Sequence, residues 1–136
     1  MNVAVGLYSH LSTFAGLTAL VGTRIYPSIL PQAVTLPAIT YQKISAKRTH
    51  TMGDDPGLAK PRFQITCWAD TPASARAVAT QVQTALQNQR NALWGGVGGV
   101  TVTVLGPDNE VDDYERTAAA RDIYSIIQDY FIWHDE

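Results

Sequence analysis

The chain has 136 residues, 46% of them hydrophobic, and a formal net charge of −2. That length is one domain, large enough to bury a core without disulfides or metal. The near-balanced charge excludes the basic footprint of a nucleic-acid binder and the polybasic segment of a protein held on anionic lipid. Cys67 is the only cysteine, which excludes an intrachain disulfide and fits a reducing compartment. No apolar run reaches the roughly 18 residues of a membrane span, and the N-terminus lacks the basic start of a secretory signal. The expectation is a chain made and folded in the cytoplasm, with no membrane partner.

Asn2 to about Val21 reads as helix, because Val3, Leu7, Leu11 and Phe14 recur near helical spacing. Ser12 or Thr13 can cap a restart, with Leu17, Leu20 and Val21 as its buried face and Gly22 as its stop. Two short helices and one bent helix fit this stretch equally. From Arg24 to Pro37, prolines at 27, 31 and 37 rule out regular structure through the middle. Ile25 and Tyr26 suit a short edge strand, and Ile29, Leu30 and Leu36 suit an extended, packed segment.

Ala38 to Ala46 reads as a strand, with Ile39 and Tyr41 on one face and Thr40, Gln42 and Ile44 on the other. Pro61 to Ala69 reads as the next, with Phe63, Ile65 and Cys67 opposite Gln64, Thr66 and Trp68. The two should pair as an antiparallel hairpin. Lys47 to Lys60 is its predicted loop, with turn chemistry at Gly53-Asp54-Asp55-Pro56-Gly57. A connection of that length is unusual and often functional.

Thr71-Pro72 is the sharpest local signal: a cap, then a proline at the first helical position. Ala75, Val78, Ala79, Val82 and Leu86 share one stripe, with Ala85, Gln89 and Leu93 beside it, so the predicted helix ends near Asn91 to Trp94. A Gly-rich run, Gly95 to Gly99, leads to a short strand, Val100 to Leu105, bounded by Gly106-Pro107. Asp108 to Ala120 reads as an acidic loop. Arg121 to His134, rich in aromatic and β-branched residues and without Gly or Pro, reads as a long final strand. Its Tyr124, Ile126, Tyr130 and Ile132 form the more continuous apolar set and are assigned to the helices. Its other face carries Ile123, Ser125, Ile127, Asp129, Phe131 and Trp133. The predicted architecture for residues 1–136 is a single α+β domain. Its sheet is mostly antiparallel and four-stranded, with helices on one face, in the order α-β-β-α-β-β.

The sequence carries little that suggests chemistry. His10, His50 and His134 are far apart and in no metal-ligand spacing. Cys67 alternates with Phe63 and Ile65, which favours an inert buried thiol over a nucleophile. Gly95 to Gly99 lacks the Lys-Ser/Thr of a phosphate loop and precedes a strand. Asp108, Glu110, Asp112, Asp113 and Glu115 lack the frame of a Ca²⁺ loop. They read as a solvated acidic surface, or as one that repels passing phosphate. Lys43, Lys47, Arg48, Lys60 and Arg62 gather around the hairpin, either as solubilising charge or to dock an acidic protein.

Several segments, in order along nearly the whole chain, resemble the tail-completion or tail-terminator family of long-tailed phages, prophages and gene transfer agents. They are Ala19-Leu20-Val21-Gly22-Thr23-Arg24-Ile25-Tyr26-Pro27, Pro31-Gln32, Leu36-Pro37-Ala38-Ile39-Thr40-Tyr41-Gln42 and Gln64-Ile65-Thr66-Cys67-Trp68-Ala69 with the alanine-rich helix after it. Tyr114-Glu115-Arg116-Thr117 and Tyr130-Phe131-Ile132-Trp133-His134 complete the set. Arg121-Asp122-Ile123-Tyr124-Ser125 departs from the more basic start expected of the last strand.

The resemblance implies a structural virion protein with no catalytic residue and no cofactor. It implies a ring, usually a hexamer, on the head-proximal end of the tail tube. The ring stops tube polymerisation and docks the head-side connector or stopper, while DNA passes through its lumen. On that reading the candidate subunit or tube contacts are Lys47, Arg48, His50, Gly53, Asp54, Asp55, Tyr130 and Trp133. The candidate lumen-facing acidic loop is Asp108, Glu110, Asp112, Asp113 and Glu115. Other readings are a stopper or tube subunit, a cytoplasmic α+β enzyme or ligand-binding domain using Cys67, His134 and the acidic cluster, and a sequence-specific nucleic-acid module that the charge balance opposes.

Overall fold

Thr71 and Pro72 start the longest helix as their chemistry requires. The Thr71 hydroxyl accepts from the Ser74 amide at 3.2 Å, and α3 runs Pro72–Leu86. The computed structural model describes residues 3–31, 35–48, 58–96, 99–116 and 122–135. Two helices precede α3: α1, Val3–Thr13, and α2, Ala15–Val21, bent from it by 80° at Phe14. Phe14 holds the N-cap position of α2 without a side-chain bond. The Thr13 hydroxyl instead donates to the Ser9 carbonyl of its own helix, so neither Ser12 nor Thr13 caps α2. Gly22, at φ +59°, ends α2 with its amide on the Thr18 carbonyl.

The strands are β1 (Ile25–Pro27), β2 (Ala38–Arg48), β3 (Leu58–Ala69), β4 (Gln89–Trp94), β5 (Val100–Val104), β6 (Pro107–Arg116), β7 (Asp122–Phe131) and β8 (Trp133–Asp135). The α+β class holds, but the sheet has eight strands among the described residues, not four. One section runs β1-β2-β3-β7-β6, and a second runs β8-β5-β4. β3 joins them by pairing with β7 and then β8. Among the described residues only β1 and β2 are parallel. β5–β6 and β7–β8 form one long bent hairpin, interrupted at Leu105–Gly106 on one arm and at Ile132 on the other.

Three boundaries differ from expectation for identifiable reasons, and one residue differs in burial. The helical stripe breaks at Asn88, whose φ of +56° turns the chain, so Gln89–Trp94 becomes a strand on β5. The acidic Asp108–Ala120 stretch is no loop over its first part. It is the edge strand β6, held by backbone pairing to β7 that overrides the low strand propensity of Asp and Glu. The hairpin loop is shorter than Lys47–Lys60, because Lys47 pairs with Lys60 and Arg48 with Ala59. Ile29 is exposed rather than packed.

Alternation places the core. Phe63, Ile65, Cys67, Ile39, Ile126 and Tyr130 face the helices and are buried. Val78, Ala79, Val82 and Leu86 of α3 meet them, together with Leu7, Leu11 and Leu17 of the first two helices. The small α3 side chains let the helix lie close to β3 and β7. The final strand's helix-facing set is therefore Tyr124, Ile126, Gln128, Tyr130 and Ile132, the assignment made from its apolar continuity.

Candidate functional site

With the helices on one face, the opposite face of the five-stranded section is open among the described residues, and its residues follow from register. Thr40 and Gln42 of β2, Gln64, Thr66 and Trp68 of β3, and Ser125 and Ile127 of β7 share it. They line a shallow concavity of about 230 Å³ that also reaches Asp113. The Trp68 indole donates to the Thr40 hydroxyl at 3.0 Å, so the polar side chains there partly satisfy one another. Val111 sits opposite Ile127 on the same face and is exposed, as is Ile44.

At the bend between the two sheet sections, Phe131, Trp133, Leu105 and Lys60 line a cleft of about 470 Å³. The Lys60 ammonium sits 4.2 Å from the Phe131 ring centre and 4.8 Å from that of Trp133. Both aromatic faces thus share one cation. Below it, Arg62 pairs with Asp129 at 2.5 Å and lies 4.0 Å from Asp108. Sequence reasoning named Trp133 but missed Phe131 and Lys60 as its partners. The alternation of Phe131 with Trp133 on one face was the available signal, whereas Lys60 fell in the predicted loop and gave none.

The acidic residues divide between two surfaces. Glu110 and Asp112 face the helix side and pair with Arg76 of α3 at 2.9 and 3.3 Å. Register puts Asp113 and Glu115 on the open side, opposite Ser125 and Ile123. Behind Glu110 runs a polar chain. The Tyr130 hydroxyl donates to Gln128 Oε1 at 2.7 Å, and Gln128 Nε2 donates to Glu110 at 2.9 Å. The Gln128 hydrogen bond holds the Glu110 carboxyl below the usual glutamate range, aided by Arg76 and opposed by partial burial. Burial pushes the Tyr130 hydroxyl up.

Tyr130 is 0% exposed, so it is a core residue and offers no surface to a neighbouring subunit. Its ring is spent on the packing of β7 against α3. Trp133 is half-buried at the rim of the cleft. Lys47 and Arg48 lie in the last residues of β2. His50, Gly53, Asp54 and Asp55 lie outside the described residues.

The residues considered for catalysis do not assemble. Cys67 is fully buried, and burial pushes its thiol up, which disfavours the thiolate. His10 is committed to structure: its Nε2 bonds the Ala85 carbonyl at 2.6 Å and its ring stacks on Trp94 at 4.8 Å. His134 pairs in register with Ala59 and Val102, far along the sheet from Cys67. Among the described residues no three His, Cys, Asp or Glu side chains group as metal ligands. No single helix is long and apolar enough to cross a membrane.

A solved structure described as the virion of a native gene transfer agent particle contains a chain with this fold. It aligns at a TM-score of 0.63 and 21% identity, covering 96% of this chain and 92% of that one. A second solved chain aligns at a TM-score of 0.63 and 13% identity, with 98% and 93% covered. No curated protein matches the sequence. The family model described as tail completion protein gp17 matches residues 5–135. The chain therefore belongs to the tail completion protein gp17 family and is a structural protein of the virion tail.

Proposed function

We propose that this chain is a tail terminator. Copies close into a ring, six being the number the family resemblance implies. The ring caps the head-proximal end of the tail tube, stops its polymerisation and presents a dock to the head-side connector. DNA crosses the lumen, and the chain performs no catalysis. The observation that carries this reading is the form of the sheet among the described residues: one face is covered by helices, the other is open, and its two edges are unlike each other. Unlike edges suit a head-to-tail contact, and such contacts make rings when the rotation closes. Asp113 and Glu115 on the open side would keep phosphate from sticking to a lumen wall. Trp133, Lys47, Arg48 and the hairpin tip with His50, Gly53, Asp54 and Asp55 are the proposed contacts to a neighbour or to the tube.

Light scattering on the purified chain tests the ring. The expected mass is about six times the 14.8 kDa of one chain. A strict monomer at every concentration, with and without tail tubes, contradicts it. A stopper or tube subunit is the second reading, favoured by the open sheet face that stacking subunits would also bury. Tubes of unlimited length grown from the pure chain would select it.

A further inference from the structure

At the bend of the sheet the long hairpin opens. Between the Thr103–Trp133 and Pro107–Tyr130 pairs its two arms make no ladder pair. The cleft described above lies in that gap. Leu105 lines it 60% exposed, and Phe131 and Trp133 line it half-buried. A Cβ built on Gly106 would meet nothing within 4 Å, so there is room left beside these side chains. Apolar surface gathered in a concavity and left uncovered marks a place where another chain inserts.

Lys60 decides what that chain must carry. Its ammonium stands over both rings, and among the described residues it is within ion-pair distance of no carboxylate. Arg62 differs, because Asp129 and Asp108 hold it. An occupant that covered Lys60 with apolar surface alone would bury an unpaired cation, which is unfavourable. An apolar side chain carried beside a carboxylate fills the cleft and neutralises the cation together. The approach has the same sign. Gln42–Arg48 of β2 and Leu58–Arg62 of β3 carry Lys43, Lys47, Arg48, Lys60 and Arg62 and no acid, which steers an acidic segment toward the cleft.

A second copy does not supply that segment. Among the described residues the exposed large apolar side chains flanked by acids are Val111, between Glu110 and Asp112, and Tyr114, between Asp113 and Glu115. Glu110 and Asp112 are held by Arg76. The Tyr114 ring packs on Tyr124 at 5.0 Å, and its hydroxyl donates to Asp122 at 2.8 Å.

We propose that this cleft is the dock for the tail tube. An aromatic or branched apolar side chain of a tube subunit inserts beside Leu105, Phe131 and Trp133, and a carboxylate next to it pairs with Lys60. The dock rests on the terminator reading and assigns Trp133 to the tube rather than to a neighbouring copy.

Co-sedimentation with preassembled tail tubes tests the dock, with light scattering for ring mass and circular dichroism for the fold. Gly106→Leu fills the cleft. Lys60→Glu reverses its charge, whereas Lys60→Arg keeps both the charge and the contact with the rings. The first two variants should bind tubes more than about tenfold more weakly than the parent at unchanged ring mass, as expected when an anchor site or its charge is lost. Lys60→Arg should bind within about threefold of the parent.

Tube binding at parental strength by Gly106→Leu or Lys60→Glu overturns the dock while the ring reading stands. Loss of ring mass by either folded variant also overturns it, because the cleft would then lie between copies. Loss of connector binding with tube binding kept puts the occupant on the head side and overturns it too. A parent that forms no ring and binds no tube removes the terminator reading itself and this dock with it. Should Gly106→Leu fail to fold, Leu105→Asp, at an already exposed position, should weaken tube binding by the same factor; parental binding by that variant overturns the dock.

Discussion

Gln128 of β7 and Glu110 of β6 are joined by a hydrogen bond of 2.9 Å that ties the tail protein's acidic edge strand to its core. The same Gln128 side chain accepts from Tyr130 and reaches the Ala79 carbonyl of α3 at 3.4 Å. One buried amide therefore holds together edge strand, central strand and helix. Gln128→Leu keeps the volume but strips partners from the Tyr130 hydroxyl. We expect a loss of about 1–3 kcal/mol in urea unfolding, the usual cost of an unsatisfied buried polar group. An unchanged midpoint would mean that the chain of bonds does not matter to stability.

Glu110 makes that junction pH-sensitive. Its folded pKa is depressed by Gln128 first and then by Arg76, so its contribution is complete above the ordinary glutamate value and is lost as pH falls through the folded one. The stability gap between the parent and Glu110→Gln should be constant near neutrality and should shrink below about pH 4.3. Urea melts from pH 7 down to pH 3 measure it. A gap that does not change with pH would remove Glu110 from the account.

Tyr130 and Trp133 separate folding from contact. Tyr130→Ala should cost about 3–5 kcal/mol, because a fully buried aromatic is removed from the face that meets α3. Lys60→Met should cost only about 0.5–2 kcal/mol, the worth of a half-buried cation over the Phe131 and Trp133 rings. Chemical denaturation of both variants orders the two effects; the reverse order would contradict the placement of the two aromatics.

Gly6 sets how closely α1 approaches the β4–β5 hairpin. A Cβ there would stand 2.6 Å from Val100 Cγ1 and 3.4 Å from Trp94 Cβ. Gly6→Val should therefore destabilise by about 1–3 kcal/mol through overpacking, seen as a lower Tm. A neutral result would show that the hairpin can move away.

Much of the fold could be read from local chemistry. The Thr71–Pro72 start, the alternation of Phe63, Ile65 and Cys67, and the helix-facing set on β7 all follow from side-chain type and spacing. What could not be read was structure made by partners distant in sequence. β6 looks like a loop because five acids suit solvent, and only pairing with β7 makes it a strand. β4 looks like more of α3 because Gln89 and Leu93 extend the helical stripe, and only the left-handed turn at Asn88 separates them. The site was legible as residues but not as surfaces. Alternation along β6 sends Glu110 to α3 and Asp113 to the open face, a division that a loop reading cannot contain.

Capping of tail tubes is the most direct test of the central claim. Tail tube subunits polymerising with and without the purified chain would be compared by electron microscopy. A terminator should stop elongation and leave a ring of density at one end of each tube. Tubes that grow to the same length with no density at either end would contradict the account.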